Sequence, residues 1–291
     1  MKQRISSLKC YTPCRMMMHR CLHTSRNMFK HILITGASSG IGLALAQYYT
    51  QKGVRVIGVS RHYPQLPYDW DHRLADLAEA EQVRALVQGI ETEYGHLDVL
   101  INNAGYGIAD ALEYTDTDAM RRMFDVNVFG AFILTKACLG LLQRSRKPQV
   151  VHIGSVAGEI PIPFQAVYSM CKAAMHTMSD AWRLELQPLG IDVCAVLPGD
   201  TRTGFTQHRL ITAKQDARYG DRITRSIAKM ARDEQRGMPV DAVVRTVNRQ
   251  LKRKRMKARV TVGLSYKLIM LLFKLMPRRL SLWLVYRLYG R

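Results

Sequence analysis

His31-Ile32-Leu33-Ile34-Thr35-Gly36-Ala37-Ser38-Ser39-Gly40-Ile41-Gly42 is an apolar run that closes in a glycine-rich turn, and a further apolar stretch over 41–52 follows it. An Ile/Leu run without polar alternation predicts a strand buried on both faces, as in a parallel sheet. The glycines permit a tight turn and bring backbone N–H groups, at the start of a helix, close to a phosphate. The spacing is G-x3-G-x-G rather than the common dinucleotide fingerprint G-x-G-x-x-G. Ordinary strand-to-helix turns also use glycine, so the turn alone settles little.

Working outward, the alternation persists. Further strands are predicted at Val54–Val59, near Arg73–Ala75, and at Leu97–Ile101, Gln149–Gly154, Ile191–Leu197 and Arg259–Val262. Between them lie helical patterns over 41–52, 78–94, 117–145, 167–187 and 239–252. Alternating strands and helices predict an α/β fold, a doubly wound Rossmann-type parallel sheet of about seven strands in a single domain. Segment 200–238 is polar and poorly periodic. In such folds ligands bind beyond the carboxyl ends of the strands, and each informative motif here follows a predicted strand.

The chain has 291 residues, of which 47% are hydrophobic, and a net charge of +20. That length suits one domain of roughly 250 residues plus extensions. Residues 1–30 carry seven Lys/Arg and no acid, and residues 242–291 carry fourteen and no acid. The middle keeps 22 of the 43 basic residues and all 23 acidic ones, so the body is close to neutral. The expected division is a basic extension over 1–27, a catalytic domain over 28–262 and a basic, apolar, helical segment over 263–291. Residues 1–27 read either as an organelle-targeting presequence or as a start assigned ahead of Met28, and the early start fits better. The six cysteines show no secretory pattern, which points to a reduced, cytosol-facing compartment. Cys10, Cys14, His19, Cys21 and His23 match no standard zinc spacing, and no metal is expected.

Tyr168 and Lys172 stand i,i+4 in Ala166-Val167-Tyr168-Ser169-Met170-Cys171-Lys172, with Ser155 thirteen positions before the tyrosine. On a helix, phenol and ammonium share one face, one turn apart. The ammonium is expected to lower the tyrosine pKa from its reference near ~10, which suits proton transfer at an alcohol or carbonyl. Tyr168/Lys172 and Ser155 join Thr35–Gly42, Asn102-Asn103-Ala104-Gly105 after the fourth strand, Asn127, and Pro198-Gly199, all in order. Together, over about residues 29–262, they resemble the short-chain dehydrogenase/reductase superfamily.

That resemblance implies a nicotinamide cofactor and hydride transfer at a carbonyl or alcohol. It implies Tyr168 as general acid/base, Ser155 as the donor that orients the substrate oxygen, and Lys172 as the tyrosine's tuner and holder of the nicotinamide ribose. It implies that Asn127 binds a water relaying protons to Lys172. Gly36, Ser38, Ser39, Gly40, Ile41 and Gly42 would cradle the pyrophosphate, and Asn102–Gly105 would line the cofactor. Asp76, followed by Leu77, would accept from the adenine amino group; its other reading is the N-cap of the helix over 78–94. Pro198 and Gly199 would form the nicotinamide-side loop, with Thr201 or Thr203 reaching the pyrophosphate or carboxamide. At the end of the second strand, NAD enzymes place an acid and NADP enzymes an arginine. Here Ser60-Arg61 stands there and the first acid is Asp69, so NADP(H) is expected over NAD(H). His152 reads as a buried histidine, and His176 receives no role.

The basic run over 249–259 belongs to no recognised nucleic-acid fold, so no nucleic-acid partner is expected. In 264–291 apolar runs are broken by Lys267, Lys274, Arg278, Arg279 and Arg287, too often for a spanning helix. Two readings remain open, a peripheral contact with the inner face of an anionic membrane, or a helix pair covering the cleft or a homo-oligomer contact. The substrate expected is an apolar small-molecule ketone, aldehyde or secondary alcohol, with Gly158 to Phe164, through Pro161 and Pro163, as a rigid apolar wall. The competing class is a non-catalytic NADP-binding sensor or assembly protein on the same fold.

Overall fold

The Val/Ile/Leu runs become seven parallel strands: β1 His31–Thr35, β2 Arg55–Ser60, β3 Asp71–Leu74, β4 Val99–Asn102, β5 Gln149–Ile153, β6 Asp192–Leu197 and β7 Arg259–Thr261. The computed structural model describes residues 28–205, 209–211 and 217–291. The expectations for 1–27, with Cys10, Cys14, His19, Cys21 and His23, lie outside the described residues. Strand order is β3-β2-β1-β4-β5-β6-β7, with β1 paired to β2 on one side and β4 on the other. The winding direction therefore reverses between β1 and β4, and a crevice opens beyond their carboxyl ends.

Helices α1 (Gly40–Gln51), α2 (Ala80–Tyr94), α3 (Thr117–Phe124), α4 (Gly130–Gln143), α5 (Ala166–Leu186), α6 (Arg222–Gln235), α7 (Val240–Leu251), α8 (Leu264–Leu275) and α9 (Arg278–Val285) pack around this sheet. One face of the sheet is covered by Leu45 and Tyr49 of α1 and by Val243, Val247 and Leu251 of α7. The other is covered by Val83, Val87 and Ile90 of α2 and by Leu134, Cys138 and Leu142 of α4. Burying each such side chain fully contributes about 1.5–3 kcal/mol, so the two layers hold the strand ends in fixed register. Cys171 and Cys194 are also buried, and both are free thiols, as is Cys138.

Three expectations need correction. The single helix over 117–145 is interrupted by a π-turn at Asp125–Phe129, where Asn127 is buried. The helix expected from 78 starts at Ala80, after Glu79. Segment 200–238 contains α6, whose Ile223, Ser226 and Met230 are buried at i, i+3, i+7 on a polar helix. The run Thr117–Gln143 has the length and hydropathy of a membrane span, but half of its most apolar window is buried inside the fold. The residues after 263 form α8 and α9, which pack through Met270, Phe273 and Val285 on Val156, Ile160 and Ile162.

Candidate active site

A cavity of about 540 Å³ lies over the carboxyl ends of the strands, lined by Gly36, Ser39, Gly40, Ile41, Asn103, Ala104, Gly105, Ser155, Tyr168, Lys172, Pro198, Gly199, Thr201 and Thr203. Most of the residues picked out by motif thus converge there.

At the nucleotide end, Gly36 and Gly40 adopt φ of +68° and +55°, which glycine alone takes at no steric cost. A Cβ on Gly42 would meet the Gly36 carbonyl oxygen at 2.1 Å, so α1 starts as close to the turn as backbone allows. Ser39 occupies the N-cap of α1 without a side-chain capping bond, and the first turn holds no acid. Uncapped N–H groups at a helix N-terminus favour an anion, and the residues present fit the pyrophosphate of a dinucleotide. Thr35 binds this region together, since its hydroxyl accepts from the N–H groups of Asn103 (2.9 Å) and Ala104 (3.0 Å). Asn103 donates back to the Thr35 carbonyl at 2.9 Å.

The remaining motif residues differ in what they contact. Asn102 is buried and donates to Thr135 Oγ1 at 2.9 Å, away from the cavity lining. Leu77 belongs to the core and sits against Gly130, where a Cβ would come within 2.8 Å. Asp76 Oδ1 accepts from Ala78 N–H at 3.0 Å, while its other oxygen pairs with Arg122 at 2.5 Å. It therefore closes a turn and ties α3 to β3, and it is not the cap of α2. Ser60 donates to the His62 carbonyl and lies 2.7 Å from His72 Nε2, whereas Arg61 is exposed. Thr201 donates to the Gly199 carbonyl at 2.9 Å, but Thr203 packs over Gly40, 3.6 Å from where a Cβ would be. Of the two threonines, Thr203 faces the glycine turn.

At the chemical end, α5 puts Tyr168 and Lys172 on one face, with the ammonium 5.6 Å from the ring centroid. Lys172 donates to the Ile153 carbonyl at 2.8 Å. Burial lowers its pKa to about 8. Burial also pushes the Tyr168 phenol up to about 12, against the opposing hydrogen bond from Ser155. The expected lowering by Lys172 is thus reversed, because desolvation of a phenolate outweighs the favourable contacts. Ser155 Oγ accepts from Ala157 N–H at 3.1 Å. Asn127 accepts from Tyr106 N–H at 3.1 Å and donates to its carbonyl at 2.9 Å. Its amide thereby holds the loop after β4, with a second N–H and a second lone pair left over.

His176, given no role from sequence, supports Ser155. Its Nε2 accepts from the Ser155 N–H at 3.3 Å, which leaves Nδ1 to donate to Glu159 Oε1 at 3.1 Å. Gly154 and Gly158 make room for the ring, since a Cβ at either would fall within 2.6 Å of it. Glu159 also pairs with Arg259, and its pKa falls to about 2, with His176 the leading cause. His152, as expected, is fully buried, and burial lowers its pKa to about 3. The apolar wall comes from Ile160 and Ile162 rather than the prolines or Phe164. Phe164 instead packs with Ala111 and Ile223, held at φ 59° with its carbonyl accepting from Asp110 N–H.

The short-chain dehydrogenase family model matches residues 30–212. A 3-ketodihydrosphingosine reductase of Bacteroides thetaiotaomicron is 38% identical over 208 residues, covering 71% of this chain and 77% of that one. Dehydrogenase/reductase SDR family member 7B of Mus musculus is 31% identical over 222 residues, 69% and 68% of the two chains. The crystal structure of a short-chain dehydrogenase from Streptomyces avermitilis superposes with a TM-score of 0.74 at 26% identity, covering 86% and 93%. This chain belongs to the short-chain dehydrogenase family and is an oxidoreductase of the kind that acts on C=O and CH–OH groups. The cofactor of that family is a nicotinamide dinucleotide.

Proposed function

We propose that the protein is an NADP(H)-dependent oxidoreductase that interconverts an apolar ketone or aldehyde and its alcohol, with Tyr168 carrying the proton. The observation behind this reading is the meeting of Ser155, Tyr168 and Lys172 on the floor of a cavity walled by apolar side chains. Gly36 to Gly42, Asn103 to Gly105, Pro198, Gly199 and Thr203 hold the dinucleotide. Bound there, the nicotinamide supplies or accepts a hydride.

Tyr168 is protonated at neutral pH, so in reduction it donates its phenolic proton to the substrate oxygen. Ser155 donates its hydroxyl hydrogen to the same oxygen and fixes its position, while His176 steadies the serine backbone. Lys172, charged below about 8, offsets the negative charge left on the phenolate. A long-chain keto substrate is supported by the apolar walls and by the Bacteroides relative's name. Tyr168→Phe keeps the ring and removes the proton, so turnover should fall by about 10²–10⁴ with cofactor affinity nearly unchanged. Retained turnover in a broad NADPH-linked carbonyl screen sinks the assignment, and a wild-type protein that binds NADPH but turns over nothing favours the non-catalytic class.

Preference for NADP(H) rests on Arg61, exposed just after β2 with no acid before Asp69. The Ser60 hydroxyl is already engaged with His62, so Arg61 carries the phosphate contact alone. Arg61→Ala should cost NADPH about 1.5–3 kcal/mol of affinity and leave NADH nearly unchanged, read by titration calorimetry. Equal losses would remove the 2′-phosphate assignment. Exposed Phe129, Phe132 and Met170 on the α4/α5 side support a homo-oligomer. Three buried free thiols support a reducing, cytosol-facing location.

A further inference from the structure

The two C-terminal helices form a roof that is apolar on both faces. Inward, Ile269, Leu272 and Phe273 of α8, Met276 just after it, and Leu284 and Val285 of α9 line the cavity. Outward, Leu264, Leu268, Leu271 and Leu275 stand at i, i+4, i+7 and i+11, a single stripe down α8, each more than half exposed. Trp283 and Leu280 extend the exposed surface onto α9. Scattered exposed leucines need no explanation, but a continuous stripe marks a contact surface.

Charge identifies what covers it. Lys267, Lys274, Arg278, Arg279, Arg287 and Arg291 are exposed around these helices, and no acidic residue follows Asp241. None of the six makes an ion pair among the described residues. Arg278 and Arg287 lie over the rings of Phe273 and Trp283, at 5.8 Å and 5.7 Å, so cation and apolar surface are interleaved. That pattern suits a layer of anionic headgroups above acyl chains. The other basic run, over 252–257, precedes β7 and meets Lys147 ahead of β5, at the amino ends of the strands and away from the roof. It stays clear of this surface. The cavity itself opens into the roof, because Ile269, Leu272 and Leu288 line it and are also 46%, 50% and 57% exposed.

We propose that α8 and α9 seat on an anionic bilayer surface, and that the cavity above Tyr168 takes its substrate from the acyl-chain layer through the opening edged by Ile269, Leu272 and Leu288. The lipid route rests on the apolar-carbonyl reading above; the seating does not. The full-length protein is floated with phosphatidylcholine vesicles with and without phosphatidylserine. Flotation should require phosphatidylserine and weaken with salt. Lipids brominated in the acyl chain should quench Trp283, identified by its loss in Trp283→Phe. Joint Leu268→Gln, Leu271→Gln and Leu275→Gln, on the outer stripe only, should lower vesicle affinity by roughly tenfold or more. Turnover of a long-chain ketone held in vesicles should fall in parallel, with turnover of a short water-soluble ketone unchanged. Wild-type protein that floats and is quenched yet reduces neither ketone supports the seating and removes the carbonyl reading alone. Wild-type protein that stays soluble with phosphatidylserine vesicles at low salt overturns the proposal. So does a triple variant that floats like the wild type, or one whose only defect is loss of a dimer, which would make the stripe a contact between copies.

Discussion

Lys172 is an ammonium held in the protein interior with a carbonyl for its visible partner. Its folded pKa, about 8, lies below the 10.5 of an exposed lysine, so between those values the unfolded chain binds more protons. Stability therefore rises with pH across that window, and the cost of the buried charge is present in full below about 8. Lys172→Met removes the charge and should stabilise the fold by up to about 3 kcal/mol at pH 7, with the advantage gone by about pH 10.5. Turnover should be lost in the same variant. Urea unfolding at the two pH values reads the effect, and a variant less stable than wild type at pH 7 contradicts it. The Tyr168/Lys172 spacing was legible because i,i+4 adjacency is local geometry. The direction of the tyrosine shift was not, because it comes from burial of the phenol, which exists only once the chain has folded. The bonding roles of Thr35 and His176 were unreadable for the same reason, since their bonds reach Asn103 and Ser155, 68 and 21 positions away.

Among the elements, the turn between β1 and α1 is the most tightly constrained. Gly42→Ala gains about 1 kcal/mol in helix propensity but drives a Cβ into the Gly36 carbonyl, a backbone atom held in the turn. The clash wins, and α1 must move outward. The expected outcome is a net loss of about 2 kcal/mol or more in chemical unfolding, together with weaker binding of NADPH and NADH alike. A variant with unchanged stability would show that the turn yields more easily than its packing implies. Strands β1, β4, β5 and β6 were readable as continuous apolar runs. The break at Asp125–Phe129 was not, because one inserted residue leaves hydrophobic periodicity almost intact. Helix α6 escaped notice because its buried side is only three residues wide on a highly charged helix.

For the whole molecule, the roof and the sheet have separate tasks. A chain ending at Gly263 keeps the seven strands and the glycine turn but loses the wall formed by Leu272, Phe273 and Leu284. Losing contact with even two substrate methylenes, at about 0.8 kcal/mol each, lowers kcat/KM for a long-chain ketone by roughly tenfold. A short ketone, which never reaches that wall, should be affected far less. Comparing the two substrates on the truncated chain checks this, and equal losses would point to collapse of the site. The contact between Tyr266 and Asp200, beside Gly199, is the route by which some loss could spread to the nicotinamide side.

By itself the sequence determined the sheet, the family and the order of the motifs, because buried strands, glycine turns and i,i+4 pairs are written in neighbouring residues. Tertiary structure decided which motif side chains face the cavity. Asn102 and Leu77 turned to hold the scaffold, while Asn103, Gly105, Thr201 and Thr203 stayed at the site. It also decided what the C-terminal segment does with its inner face. An apolar helix at the chain end can cover a core, a partner or a lipid surface, and only its position over the strand ends made it the cavity roof.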